Sequence, residues 1–254
     1  MSLPKIVTPE YYVQLKSIKE PVKYRPYLVK EEKIFLTAKE SDDPKDINNA
    51  VRQILRNCTF DAIDVDSLPS FDIEYLFLQL RAKSVNNIVN MSFRCENKIP
   101  NPTPSDDAAA DAEPPRCHQV NTVVIDIDTV TVTTPENHTS TIQINDDLTI
   151  EFTYPTMASL GNVLQKKDQV VLAGPVIAAS IKTVVNKEGV VYEARDHSQE
   201  EWIEFVESMP VKCLENCAQF FQTMPKLRYE TEFKCTKCGY AEPLVLEGIG
   251  DFFE

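Results

Sequence analysis

The octapeptide Phe233-Lys234-Cys235-Thr236-Lys237-Cys238-Gly239-Tyr240 leaves this chain few ways to fold near its end. Two thiolates two residues apart, with glycine just behind them, form a zinc knuckle: the tight turn brings both sulfurs to one point and glycine relieves its strain. One knuckle supplies two ligands, and a closed structural zinc site needs four. Cys95 and Cys117 are the best second pair, because each ends a strand of one hairpin and strand ends meet across a hairpin. Phe93-Arg94-Cys95 also mirrors Phe233-Lys234-Cys235, as two facing half-sites of which one is widened by an insertion. A four-cysteine site of zinc-ribbon type, Cys95, Cys117, Cys235 and Cys238, is therefore expected, with zinc in a structural role. The alternatives are a Cys95–Cys117 disulfide, four unliganded thiols, or His118 standing in for Cys117. Cys213 and Cys217 lie at i, i+4 beside Leu214 and Phe221, a core-facing helical pattern, and Cys58 falls on another apolar helix face. Seven cysteines is an odd number, and a reducing compartment favours metal over disulfides. Such a site has no open position for a reactant, and losing its metal should loosen the C-terminal third first.

Charge and composition narrow the function. A net charge of −13 over 254 residues opposes a protein that binds nucleic acid by displacing counterions. Only 6 glycines, where average usage of roughly 7% would give about 18, leave no glycine-rich phosphate loop. No apolar run approaches the ~20 residues that cross a bilayer, and Met1–Lys5 lacks the apolar stretch of a signal peptide, so neither membrane nor export is expected. His118, His138 and His197 lie in polar loops outside any hydrolase or metalloprotease signature, and paired carboxylates such as Asp146-Asp147 and Glu200-Glu201 fit turns and a helix start. No enzyme is expected.

Periodicity predicts an α+β protein: N-terminal helices, a central antiparallel sheet, C-terminal helices and the four-cysteine site. Residues 1–86 form an arm and a helical part. Pro4, Pro9, Pro21 and Pro26 mark an extended arm of the kind that packs on a partner; helices follow at Glu31–Lys39, after Asp43-Pro44, and after Ser70 as a cap. In the third helix Ile73, Leu76, Phe77 and Leu80 make one apolar face. Residues 87–156 alternate as strands around a polar, proline-rich insertion at 96–116, with a turn at Asn145-Asp146-Asp147. Residues 157–226 are expected to be helical, with a mostly apolar Val170–Val185 broken at Gly174-Pro175 and a capping box at Ser198-Gln199-Glu200-Glu201. A strand-like Val190-Val191-Tyr192 interrupts that part. Residues 227–254 hold the zinc-ribbon hairpin and an aromatic tail.

Lys23-Tyr24-Arg25-Pro26-Tyr27-Leu28-Val29-Lys30-Glu31-Glu32-Lys33 and Leu68–Val85, with the closing Glu247-Gly248-Ile249-Gly250-Asp251-Phe252-Phe253, resemble the baseplate hub subunits and hub assembly chaperones of T-even-type contractile-tailed phages. The likeness spans nearly the whole chain, although the long 96–116 loop departs from the compact knuckle expected there. It implies a structural or assembly role in the host cytoplasm and in the virion tail, with other hub proteins and the tape-measure protein as partners. Tyr24, Tyr27, Phe71 and Tyr75 are aromatics of the kind enriched in interfaces, and equally of the kind found in a protein's own core. Phe252 and Phe253 form an apolar free end that gains by docking. The other reading is a phage zinc-ribbon transcription or nucleic-acid-associated factor, using Lys226, Arg228, Lys234 and Lys237.

Overall fold

Helix α3 (Ser70–Ser84) is the spine of the protein, buried on two faces at once. In the computed structural model, residues 6–41, 43–99, 115–159, 173–248 and 250–252 are described. The bulk of the polar insertion, the start of the Val170–Val185 stretch, Ile249 and Phe253 lie outside them. The expected face of α3, Ile73, Leu76, Phe77 and Leu80, packs on Ile54, Leu55 and Cys58 of helix α2 (Pro44–Cys58). Its second face, Leu78 and Ala82, meets Val89, Met91, Ile125, Ile127, Leu227 and Leu246. A helix apolar on both sides carries no amphipathic signature, so only one face was readable from spacing.

Side-chain caps start some of the helices and not others. Asp43 caps α2, its Oδ1 accepting the Lys45 N–H at 2.8 Å, with proline in the first turn. Ser70, expected as a cap, is instead the first residue of α3; Pro69 takes the cap position, and the Ser70 N–H donates to the Pro155 carbonyl at 3.1 Å. Helix α1 (Val29–Ser41) begins where Arg25 Nη2 meets Glu31 Oε1 at 3.1 Å. Glu31 is fully buried, and its other oxygen accepts the Leu28 N–H at 2.9 Å, so the pair is satisfied on both sides. Burial opposes the Glu31 carboxylate, yet Arg25 and the Leu28 N–H hold its pKa below the ordinary value.

The N-terminal arm belongs to this core. Its strands β1 (Tyr11–Val13) and β2 (Val22–Tyr24) pair antiparallel, and Val13, Leu15, Val22 and Tyr24 join the α2–α3 cluster. Asp72, fully buried in α3, accepts the Lys16 and Ser17 N–H groups at 2.9 and 2.8 Å and so ties the arm down.

Among the described residues the β strands form four separate sheets where one central sheet was expected. Strands β3 (Ile88–Arg94) and β4 (Val120–Asp126) make a hairpin whose last pair is Arg94 with Val120. Strand β5 (Thr131–Thr133) leaves that hairpin and pairs with β10 (Lys226–Lys234), whose other edge carries β11 (Ala241–Glu247). The third sheet is β6 (Thr141–Gln143), β7 (Leu148–Phe152), β8 (Ile181–Asn186) and β9 (Val191–Glu193), in sequence order; the fourth is β1 with β2. Ile181–Asn186 was expected inside a helical region, but its Ile181, Thr183, Val184 and Val185 are β-branched and pair along β7. The sheet thus crosses the boundary expected at 157. Helices α4 (Ala173–Ser180), α5 (Gln199–Glu207) and α6 (Val211–Thr223) cover it with Ile177, Trp202, Val206, Cys213, Cys217 and Phe220. The Asn145 turn and the Ser198 capping box form as expected: Asn145 Oδ1 accepts the Asp147 and Leu148 N–H groups, and Ser198 and Glu201 bond reciprocally.

Replacing Asp72 by alanine strands two backbone donors and should cost about 2–3 kcal/mol in urea unfolding, with faster proteolysis before residue 20. Asp72→Asn, which keeps one acceptor, should cost less. His138 supplies a second test: its ring nitrogens lie 3.1 Å from Thr223 Oγ1 and 3.0 Å from Tyr154 Oη, and burial, then the Lys16 charge, push its pKa below the ordinary value. The unfolded chain then takes up the proton first, so stability should fall as pH drops below ~6.5, and His138→Gln should flatten that slope.

Candidate metal centre

Two hairpin ends meet tip to tip. Cys95 follows β3 and Cys117 precedes β4; Cys235 and Cys238 occupy the turn between β10 and β11. Cys95 Sγ lies 3.7 Å from Cys238 Sγ, Cys117 Sγ lies 3.8 Å from Cys235 Sγ, and the four sulfurs all fall within 4.8 Å of one another. A tetrahedral ion bonded to sulfur at about 2.3 Å sets its ligands about 3.8 Å apart. Cys95, Cys117 and Cys235 are buried, Cys238 half-buried, and all are free thiols, so the four residues can hold a metal ion and the disulfide alternative is not adopted.

The two halves repeat one backbone plan. In the knuckle the Cys235 N–H donates to the Tyr240 carbonyl at 2.8 Å and the Gly239 N–H to the Cys235 carbonyl at 3.0 Å. Across the site the Cys95 N–H donates to the Gln119 carbonyl at 2.9 Å and the His118 N–H to the Cys95 carbonyl at 2.9 Å. Cys117 thus matches Cys238, and His118 matches Gly239; their φ values, +52° and +73°, are both left-handed. Phe93 and Phe233 occupy equivalent positions and meet edge-on at 6.4 Å. The long insertion is therefore a knuckle opened between its two cysteines, with Cys117 N–H to Asn97 carbonyl and Ile99 N–H to Pro115 carbonyl, both 2.9 Å, closing its neck.

Polar groups brace the sulfurs. Asn121, buried in β4, accepts both the backbone N–H and the hydroxyl of Thr236 at 2.8 Å, and Asn97 Nδ2 donates toward Cys238 Sγ at 3.7 Å. Neither asparagine was foreseen, although Asn121 is a polar residue at an inward register position beside Val123 and Ile125. Backbone N–H groups near Cys235, first that of Cys238 and then that of Lys237, lower its pKa, and the Tyr240 N–H lowers that of Cys238. Burial raises that of Cys95; at Cys117 a backbone donor from Gln119 is outweighed by burial and by the neighbouring thiols. The pulls thus run in opposite directions, toward thiolate in the glycine-bearing knuckle and toward thiol across from it, and a bound cation would favour thiolate at all four.

His118 is not among the converging ligands: its side chain is 55% exposed and leans toward Glu96, Nδ1 to Oε1 3.8 Å. Cys213, Cys217 and Cys58 are core residues, as their helical spacing indicated. The aromatics proposed for contacts lie elsewhere. Tyr24, Phe71 and Phe252 are only 2%, 2% and 1% exposed, so they offer no free surface, while Tyr27 and Tyr75 are half-buried against the α3 core. Burying these rings releases more free energy than leaving them to water, so the tail closes on its own chain: Phe252 joins Leu227 and Leu246, and Asp251 Oδ2 accepts the Glu247 N–H at 2.8 Å. Phe253 is outside the described residues.

The frame is α+β, and its two hairpins meet at four thiols, three buried and one half-buried. Comparison with known families gives the particular class: the family described as T4 bacteriophage base plate protein matches residues 8–254. No curated protein and no solved structure matches. The chain belongs to the T4 bacteriophage base plate protein family, whose setting is the phage tail and whose neighbours are other baseplate proteins. Among the described residues no helix is long and apolar enough to cross a membrane.

The repeated backbone plan predicts opposite outcomes at matched positions. Gly239→Ala, with open space around a new Cβ but φ at +73°, should destabilise by about 1 kcal/mol through backbone strain alone. His118→Gly should be neutral or stabilising by up to about 1 kcal/mol, read as the difference in urea midpoint with metal held constant.

Proposed function

We propose that this chain is a non-catalytic assembly protein of the baseplate hub, and that Cys95, Cys117, Cys235 and Cys238 hold one structural zinc. The convergence of four largely buried sulfurs at tetrahedral spacing carries the zinc reading, since a borderline-soft ion without geometric demands suits an all-thiolate cage. Four protein ligands saturate such an ion and leave no position for substrate or activated water, which supports a scaffold over an enzyme. The hub assignment rests on the Lys23–Lys33 and Leu68–Val85 segments, and hub subunits and the tape-measure protein are the partners they imply. Host cytoplasm is the place of assembly in this reading. A nucleic-acid factor is disfavoured by the net charge of −13.

Native mass spectrometry of protein purified without chelator should show one zinc per chain, lost on denaturation and absent in Cys235→Ser. A metal-free chain of unchanged stability would refute the zinc. Quantitative proteomics of purified phage against infected-cell lysate tests the assembly role. Abundance in particles identifies a hub subunit, abundance in lysate alone identifies a chaperone that departs, and failure of any baseplate protein to co-purify in either fraction would overturn the assignment.

A further inference from the structure

A second site lies at the far end of the four-stranded sheet, built from elements that contribute nothing to the cysteine cluster. Tyr192 of β9, His197, and Trp202 and Phe205 of α5 wall a cavity of about 390 Å³ floored by Val184. The rings stand as a box. His197 and Trp202 are 5.4 Å apart at 78°, Trp202 and Phe205 are 5.7 Å apart at 82°, and Tyr192 closes on His197 at 6.3 Å. Trp202 is locked in place by burial and by donation from its Nε1 to the Ala194 carbonyl at 3.3 Å.

One carboxylate opens into this box. Glu201 Oε2 accepts the Ser198 N–H at 2.7 Å in the capping box, and its Oε1 has only His197 Nδ1 near it, at 3.9 Å. That capping donor holds the Glu201 carboxyl below the usual carboxylate range. The cations on the surrounding strands and connections are already neutralised: Lys182 by Glu151 at 2.7 Å, Lys187 by Asp147 at 2.8 Å and Arg195 by Glu193 at 2.7 Å. Among the described residues, Glu200, Glu201, Glu204 and Glu207 of α5 pair with no lysine or arginine.

Aromatic faces carry negative potential at their centres and attract cations, more strongly where water is partly excluded. Rings on several sides with an ionised carboxylate at the mouth therefore select a positive group on an apolar stem. We infer that this pocket receives a lysine or arginine side chain from a partner protein. β9 is the outermost strand of its sheet, and Val190 and Val191 next to the pocket are exposed, so the segment bearing that side chain has apolar surface to lie along. Charge complementarity selects a basic segment, given an uncompensated acidic helix on a chain of net charge −13. The inference goes beyond the assembly role by naming a contact face, and it does not depend on zinc.

Trp202 is the protein's one tryptophan, so its emission reports the site directly. Acetylated, amidated tripeptides with lysine, arginine or norleucine at the centre are titrated into the full-length protein. The lysine and arginine peptides should change Trp202 emission saturably, and norleucine should bind at least about fivefold more weakly. Glu201→Gln keeps the capping hydrogen bond while removing the charge, and should weaken the cationic peptides about fivefold with only a small drop in the melt, since the charge in the first helical turn is lost. Tyr192→Leu should weaken them similarly. The Trp202 indole N–H resonance gives a second readout that does not depend on quenching. Equal response to norleucine, or no response to any peptide by either readout, overturns the assignment.

Discussion

At their tips the β3–β4 and β10–β11 hairpins are joined by a small cluster centred on the four sulfurs. The cluster there holds Cys95, Cys117, Phe233 and Cys235, with Phe93, Ile99, Val123, Cys238 and Leu244 packed half-buried around it. Four thiols gathered without an ion would set partly charged sulfurs against one another in a site from which water is largely removed, an unfavourable arrangement. A dication reverses that balance, and its binding free energy becomes folding free energy for both hairpins. The Asn121–Thr236 hydrogen bonds and the Phe93–Phe233 contact set the approach of the two tips, but each would be small beside the four metal–sulfur bonds of the proposed zinc.

Matched backbone geometry shows why an insertion is tolerated inside the site. A compact knuckle needs its two cysteines held by the turn between them. Here the β3–β4 ladder and the neck bonds at Cys117 and Ile99 hold Cys95 and Cys117 from outside, so the intervening segment does not set the sulfur positions. Lengthening such a loop costs little closure entropy. The one position still bound by the turn's conformation is His118, which must stay left-handed for its N–H to reach the Cys95 carbonyl.

Much of this was legible in sequence, and the failures share a cause. The cysteine pairs, the Asp43 and Ser198 caps, the Asn145 turn and the alternation of β3 and β4 are local patterns whose physics is local, and each appears where its residues put it. What spacing could not give was the identity of the neighbour. Leu78 and Ala82 look like the incidental apolar residues of an amphipathic helix until β3, β4 and β10 are known to lie against them. Ile181–Asn186 is short and only half apolar, a run whose period does not separate strand from helix, and pairing with β7 decided it. β5 has three residues and pairs with a strand almost a hundred positions away, so nothing in its own sequence announces the division of one expected sheet into several. Tyr24, Phe71 and Phe252 have the chemistry of interface aromatics, and the tertiary fold used that chemistry internally.

Placement of the cores decides how far the influence of a metal bound at the sulfurs would extend. The tie was expected to govern the C-terminal third, but that third is divided: β8, β9 and α4 to α6 share a core with β6 and β7, apart from the sulfurs. β10, β11 and Phe252 instead share a core with β3, β4 and the second face of α3. Loosening the hairpin tips therefore acts on the middle of the chain and on its last strands, and through Leu78 and Ala82 on α3, before it touches the four-stranded sheet. Among the described residues, the contacts between these regions include the Ser70–Pro155 hydrogen bond, the Pro69–Thr156 bridge and the Phe71–Tyr154 ring contact at 5.1 Å. A change at the hairpin tips therefore reaches the four-stranded sheet, and the Trp202 cavity on it, last.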